Sequence, residues 1–388
     1  MFDFLKEKEI DYIPTLLFVF AAIMWRTQYY QLCLYAAIPA MILYTFLKRR
    51  SSVFRCKYWK TYTMVMILIL LSTIVNDFNA EAKSILVPIT ATYLVSLSIY
   101  GLSVNGNNSR ILCIAFIGLY ISLMYATITG ESFVSNFDYA NESDRRSNTV
   151  LNSNQYAYFS LFAIMATRIL IGYKDKIGAF AKITIYTVLL IAACYTAFMT
   201  ASRQVLLLEI PLIGYFFYHD FLKHGNSVYR GLFFISIAVL LLYGLPLFFQ
   251  IYDNSYLAVR SVGPVSEDTR TALMLAALDL GFEYPIFGVG LNADTAFSHC
   301  TYTHLFSRCG FLCFLLYAYM ILNAIIVQYK RKVLTHDSYY SILSVCLILF
   351  AIANFFYSYI DQPYMLPILF LLIGESDRHT RDYYPLAL

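Results

Sequence analysis

LFFISIAVLLLYGLPLFFQI, residues Leu232–Ile251, runs for twenty positions without one charged side chain. A helix rises about 1.5 Å per residue, so such a run matches the ~30 Å hydrocarbon thickness of a bilayer. It is apolar on every side, which excludes the one-faced helix of a water-soluble protein. Similar runs recur along all 388 residues, of which 60% are hydrophobic and only 13% charged. That is too little charge to coat a soluble domain of this size, so the expected fold is an all-α polytopic membrane protein, one integral membrane domain over residues 1–388.

Working outward from that run, twelve spans are expected. The first nine are Ile13–Trp25, Tyr29–Leu47, Tyr62–Val75, Ser84–Val104, Ile111–Gly130, Ser153–Ile171, Ile183–Thr200, Val205–Tyr218 and Leu232–Ile251. Tyr302–Val327, Tyr339–Phe356 and Tyr364–Gly374 complete the set; the first, third, eighth and last are short for a span of about 20 residues. The Ile13–Trp25 run lacks a small-residue cleavage site and reads as a first span, not as a cleaved signal. With the N-terminus placed in the cytoplasm, 20 of the 28 Lys and Arg residues fall on the inner side, so both termini are expected to be cytoplasmic.

Two outer segments are long, 131–152 and 252–301, and both carry arginines against this bias. The second holds a helix-like stretch, Thr269–Leu280, preceded by the capping candidates Ser266, Glu267 and Asp268 and broken by Gly281 and Pro285. The eight cysteines are scattered and form neither a disulfide framework nor a paired CxxC site. No internal repeat supports a repeat-built transporter.

The polar residues that need a reason concentrate around these outer segments. Arg203, in TASRQ (Thr200–Gln204), sits at the boundary of two spans, where its guanidinium fork suits a phosphate or diphosphate. Its bland alternative is an anchor of the helix end, snorkelling or paired with Glu209. Arg270 opens the stretch in the large loop. Together with Arg260, Arg145 and Arg146 it makes a basic mouth for an anionic lipid-linked substrate, the alternatives being lipid headgroups or neighbouring acids.

His299 precedes the tenth span, with Tyr302 and Phe306 at helical spacing, and is a candidate general base; a structural histidine is the alternative. His299, Cys300, His304 and Cys309 are spaced too widely around a helix to favour a metal site, and His304 with Arg308 reads as a secondary polar pair. The string EYPIFGVGLN (Glu283–Asn292) lacks the preceding strand of a phosphate-cradling loop and reads as turning structure that sets the chain between Arg270 and His299.

At these residues the chain resembles the O-antigen ligase and polymerase superfamily. Four signatures stand in order: RRSNTVLNSNQYA (Arg145–Ala157), TASRQVLLL (Thr200–Leu208), the stretch Ser266–Asn292 with Arg270, Gly281 and PIFGVGL, and SHCTYTHLFSRCGF (Ser298–Phe311) with His299 and Gly310. Cys300 and Cys313 depart from the family pattern, which weakens assignment to the ligase branch. The resemblance covers roughly 145–310.

It implies a GT-C-like glycosyltransferase, with its site at the periplasmic face of the cell inner membrane, that acts by metal-independent inverting transfer without a cofactor. Arg203 and Arg270 would bind the donor diphosphate and His299 would activate the acceptor hydroxyl, with Arg145, Arg146, Arg260 and Tyr302 as further substrate contacts. Implied partners are undecaprenyl-diphosphate-linked glycan as donor and acceptor, membrane lipids and a chain-length regulator; no nucleic acid is implied. The favoured expectation is a polymerase of repeat units for O-antigen or capsule. The alternatives are a ligase transferring glycan to lipid A-core, a glycan-to-protein transferase of the same superfamily, and a non-catalytic flippase.

Overall fold

The computed structural model describes residues 13–18, 33–76, 78–104, 108–128, 153–172, 177–200, 202–223, 225, 227–253, 269–292, 298–362 and 365–384. Most of these residues are helical, with no strand among them, and seven helices are long and apolar enough to cross a membrane. The protein is an α-helical, multi-pass membrane protein in its architecture. The chain divides into two compact units: Met1–Ala115 with Pro264–Leu388, and Phe116–Gly263.

In the first unit a π-turn, Cys33–Ala37, leads into α1 (Ile38–Lys48), followed by the short α2 (Arg50–Val53) and then α3 (Trp59–Val75) and α4 (Ala80–Ser103). α5 (Asn108–Ile128) passes from the first unit into the second. The second unit holds α6 (Ser153–Gly172), α7 (Ala179–Thr200) and α8 (Arg203–Phe217), the last prolonged by a π-turn to Lys223. It closes with α9 (Ser227–Val239), a π-turn (Leu240–Gly244) and α10 (Leu245–Asp253). The chain then returns to the first unit with α11 (Thr269–Glu283), α12 (Thr301–Cys309), α13 (Phe311–Thr335), α14 (Tyr339–Phe356) and α15 (Pro367–Tyr383).

The fold-deciding run forms one continuous span, Ser227–Asp253, which keeps most of its apolar side chains outward, as lipid-facing residues do, with Phe233 buried. α4 starts where Asn79 accepts the Ala82 N–H at 3.0 Å, with Glu81 in the first turn to meet the positive helix end.

Two expected spans are corrected. Tyr302–Val327 is not one helix but two, α12 and α13, divided at Gly310, whose φ of 87° and ψ of 171° no helix can contain. The polar segment TYTHLFSRC is thereby packed inside the protein while α13 makes the crossing. The last helix does not stop at Gly374. It continues to Tyr383 because the charges of ESDRHTRD are paired.

That pairing builds a buried network at the end of the first unit where α13 finishes. Glu375 is fully buried; it receives Arg378 through Nε at 3.1 Å and Nη2 at 2.7 Å, Ser109 Oγ at 2.7 Å and Tyr339 OH at 2.9 Å. Asp377 takes Arg331 at 2.6 Å and Tyr100 OH at 2.7 Å, and His379 lies 2.7 Å from Asp337. Burial pushes the Asp337 carboxyl up, but the hydrogen bonds from His379 and the Tyr339 N–H outweigh it and hold the group below its ordinary value. α15 approaches α4 closely, since a methyl group on Gly374 would stand 1.9 Å from Ser103 Oγ. α13 is 25 residues long, so its two ends, and the features at them, are about 37 Å apart.

Candidate functional site

At the opposite end of α13 the EYPIFGVGLN string wraps the C-terminal end of α12. Val289 N–H donates to the Ser307 carbonyl at 2.9 Å, Gly290 N–H to the Arg308 carbonyl at 3.0 Å, and Phe311 N–H to the Pro285 carbonyl at 2.7 Å. α3 closes this clasp from below: Ser72 Oγ lies 2.6 Å from the carbonyl oxygens of both Phe287 and Arg308, and Asn76 Nδ2 donates to the Gly288 carbonyl at 3.2 Å. The buried Arg308 guanidinium donates to the Leu291 carbonyl. Gly288 sits at φ 65°, and a methyl group there would meet the Arg308 backbone at 2.3 Å. The string is turning structure, as its composition indicates, and what it turns around is α12.

The N-terminal end of α12 is fastened as thoroughly. Ser298 Oγ accepts the Cys300 N–H at 3.2 Å and lies 2.7 Å from Thr303 Oγ1, a side-chain turn that sets the helix start. Thr301 Oγ1 donates to the Tyr357 carbonyl at 3.0 Å and accepts the Tyr359 N–H at 3.2 Å, tying the turn to the segment after α14. His299 stands on this turn, partly exposed, its ring 6.4 Å from that of Tyr357 and inclined by 27°. His304, one turn into α12, is buried; burial, with Arg308 adding to it, pushes its imidazole down to about 3, so the ring is neutral. Asp361 belongs to the same neighbourhood, with Arg308 close enough to act on it, yet burial raises its carboxyl.

Of the residues singled out in the sequence, His299 is therefore held on a rigid turn with its imidazole reaching the surface. Arg270 is the second residue of α11, the helix that packs on α12 through Phe282 against Phe306 at 5.2 Å, but its side chain lies outside the described residues. α11 itself runs to Glu283, past the break expected at Gly281, and stops ahead of Pro285. Arg145, Arg146 and Arg260 also lie outside the described residues.

Tyr302 is in the interior: it is buried, its hydroxyl donates to the Ala351 carbonyl at 3.1 Å, and its ring packs on Phe355 and Tyr317. It does not share a helical face with His299, because the helix begins only at Thr301.

In the second unit Arg203 is the first residue of α8 and is exposed; its side chain makes no hydrogen bond or ion pair with the described residues. The alternative pairing with Glu209 does not occur. Glu209 is fully buried and takes its hydrogen bond from Ser160. An exposed guanidinium at a helix N-terminus adds its charge to the positive end of the helix dipole, a combination suited to an anion. Deeper in this unit Asp220 gathers Arg168 at 2.9 Å, His219 at 2.9 Å, Tyr186 OH at 2.8 Å and Lys182 at 3.3 Å, a closed ionic knot.

Sequence reading missed three contributors to the fastening of α12: Ser72 of α3 and Asn76 at its cap, which hold the C-terminal end, and the segment Tyr357–Gln362 at the His299 end. The polar pair in STIVN (Ser72–Asn76) at the end of an apolar run, and the acid and amide of YIDQ (Tyr359–Gln362) between two runs, were the available signals. Among the described residues no group of three or more His, Cys, Asp and Glu is placed to hold a metal. No protein-family model matches the chain, and no curated protein matches it either.

Proposed function

We propose that the protein is a glycosyltransferase that polymerises undecaprenyl-diphosphate-linked repeat units at the outer face of the cytoplasmic membrane. The reading assigns it twelve spans, both termini in the cytoplasm and a GT-C-like arrangement. The observation that carries it is the partly exposed imidazole of His299 on a turn fastened at Ser298, Thr301 and Thr303. Fixed geometry of this kind is what a general base requires, since a misplacement of about 1 Å costs on the order of 10²-fold in rate.

In this mechanism His299 takes the proton from an acceptor sugar hydroxyl as its oxygen attacks the anomeric carbon of the donor. The bond from that carbon to the diphosphate oxygen breaks with inversion, and undecaprenyl diphosphate leaves with the bonding electron pair. The guanidiniums of Arg203 and Arg270 bind the diphosphate and stabilise the charge that grows on it. The exposure of Arg203 supports that role, because a guanidinium consumed by a structural ion pair would be unavailable to substrate.

The test is the glycan profile of a deletion strain complemented with His299→Ala, Arg203→Ala or Arg270→Ala. Single repeat units in place of polymer, with the variant protein present in the membrane, are expected in each case. Accumulated lipid-linked polymer would point to ligation, absent export to translocation, and wild-type polymer in all three variants would overturn the assignment.

A further inference from the structure

The chain between α1 and α3 is an elbow, Arg49–Tyr58, that joins two apolar helices and so lies where both leave the membrane. One side of it is locked into the first unit. Val53 is fully buried against α4, where a methyl group on Gly101 would stand 2.6 Å from Val53 Cγ2. Cys56 is also buried, and the Tyr58 hydroxyl donates to Asn323 of α13 at 3.0 Å. The other side carries Lys48, Arg50, Arg55, Lys57 and Lys60, all exposed.

Among the described residues no acid answers this charge. No aspartate or glutamate stands between Asp11 and Asp77 in the chain, and Lys48, Arg50, Arg55 and Lys60 form no ion pair with the described residues. Lys57 donates to Asn323 at 3.1 Å, a neutral partner that leaves its charge uncompensated. Asp377, which reaches α4 through Tyr100, is already matched by Arg331 at 2.6 Å. Aromatic rings run among the cations. Phe46 meets Phe54 at 6.1 Å and Phe54 meets Trp59 at 5.1 Å, both edge to face, with Arg50 5.9 Å from the Phe54 ring and Lys60 5.7 Å from that of Trp59. Such rings sit at headgroup depth, and a cation over one keeps its outer side for an anion.

We propose that this elbow is a docking surface for anionic phospholipid: its exposed guanidinium and ammonium groups take the lipid phosphates, while Phe54 and Trp59 lie against the glycerol and upper acyl chain. Because the elbow is fastened to α4 and α13, its cations are held together at one level of the membrane. Each Lys or Arg so placed raises the attraction for anionic lipid by roughly fivefold. α3 bears the clasp residues Ser72 and Asn76 at its far end, about 25 Å away along 17 residues, so the lipid surface served is the one opposite the candidate site. In the topology proposed above that is the cytoplasmic leaflet. The inference requires only that the chain crosses a membrane, and it stands or falls apart from glycosyl transfer.

The chain has two tryptophans, Trp25 and Trp59, so the full chain carrying Trp25→Phe reports from Trp59 alone. It is reconstituted in phosphatidylcholine vesicles at about 0.15 M salt, with brominated phosphatidylglycerol or brominated phosphatidylcholine added at matched mole fractions. Quenching of Trp59 is expected to show a preference of about tenfold for phosphatidylglycerol, and the quadruple variant Lys48→Gln/Arg50→Gln/Arg55→Gln/Lys60→Gln to reduce it to within about twofold of none. Lys223→Gln/Arg230→Gln, which removes exposed cations of the second unit, is expected to keep the preference. Equal quenching by the two lipids would overturn the inference and leave the patch to an acidic soluble partner. A preference that survives the quadruple variant overturns it too, as does one lost equally in the second-unit control, which would mark an effect of net charge. Loss of the preference to inorganic phosphate at constant ionic strength would make free phosphate the ligand and refute the lipid assignment. If the quadruple variant does not insert, Lys48→Gln/Arg55→Gln decides: the preference should fall to about threefold, and an undiminished one counts against the proposal.

Discussion

Replacing Gly310 by alanine tests whether the clasp around α12 holds the site together. At φ 87° and ψ 171° the residue lies in a region that is essentially restricted to glycine, and placing a side chain there costs about 1–3 kcal/mol. The added methyl carbon would stand 2.1 Å from the Ile286 carbonyl oxygen, 2.5 Å from its carbon and 3.0 Å from the Pro285 oxygen. Backbone atoms cannot swing aside as a flexible side chain does, so the loop must move bodily, an overpacking cost of about 1–3 kcal/mol.

That movement also pulls apart the 2.7 Å bond from Phe311 N–H to the Pro285 carbonyl, worth about 0.5–1.5 kcal/mol. Together the expected loss is about 2.5–7.5 kcal/mol. Thermal unfolding of the purified protein in nanodiscs, with hydrogen exchange followed over 285–292, reads both the global and the local effect. Gly231→Ala is the control, because a methyl group there meets nothing within 4 Å. A Gly310→Ala protein that melts with the control and keeps slow exchange in the clasp would refute the reasoning.

Three other outcomes are expected. Glu375→Gln should destabilise the first unit by about 3–5 kcal/mol, as removal of one partner from a buried ion pair does, while leaving the polar surface at the far end of α13 in place; chemical unfolding measures it. Acidification should weaken the fold through His304. Its folded imidazole is held down to about 3 and its unfolded one titrates near 6.5, so the unfolded state takes up the proton first and stability falls as pH drops through that window, by at most about 1.4 kcal/mol per pH unit. The slope of unfolding free energy between about pH 6.5 and 5 should flatten in His304→Gln, and an unchanged slope would show that another group is responsible. Tyr302→Phe should cost about 1 kcal/mol of stability through the lost bond to Ala351, with KM unchanged; a raised KM would return Tyr302 to the substrate surface.

Arg203 and Tyr302 mark how far local sequence reaches. An arginine between two apolar runs is visible as an anomaly from composition alone, because charge at a membrane boundary is costly, and it stands exposed at the start of α8. Tyr302 stands three residues after His299, but helical spacing has no meaning across a turn, and the helix begins only at Thr301. The tenth span misled for a related reason: a hydropathy average runs through Gly310, since one residue changes the direction of a chain without changing its polarity.

What the amino-acid sequence determined by itself is the all-helical, membrane-crossing character of the chain. Runs such as Leu232–Ile251 satisfy their backbone groups internally and cannot be hydrated on any face, which leaves a span as their stable form. What only the tertiary structure decided is which polar side chains are buried against a partner and which stand at the surface. Glu209 is taken up by Ser160, Arg308 by Leu291 and the charges of α15 by one another and by Arg331 and Asp337, while His299 is partly exposed and Arg203 exposed. The physical reason is that a buried polar group must find its partner wherever the fold brings one, often more than two hundred residues away, as Ser72 finds Arg308.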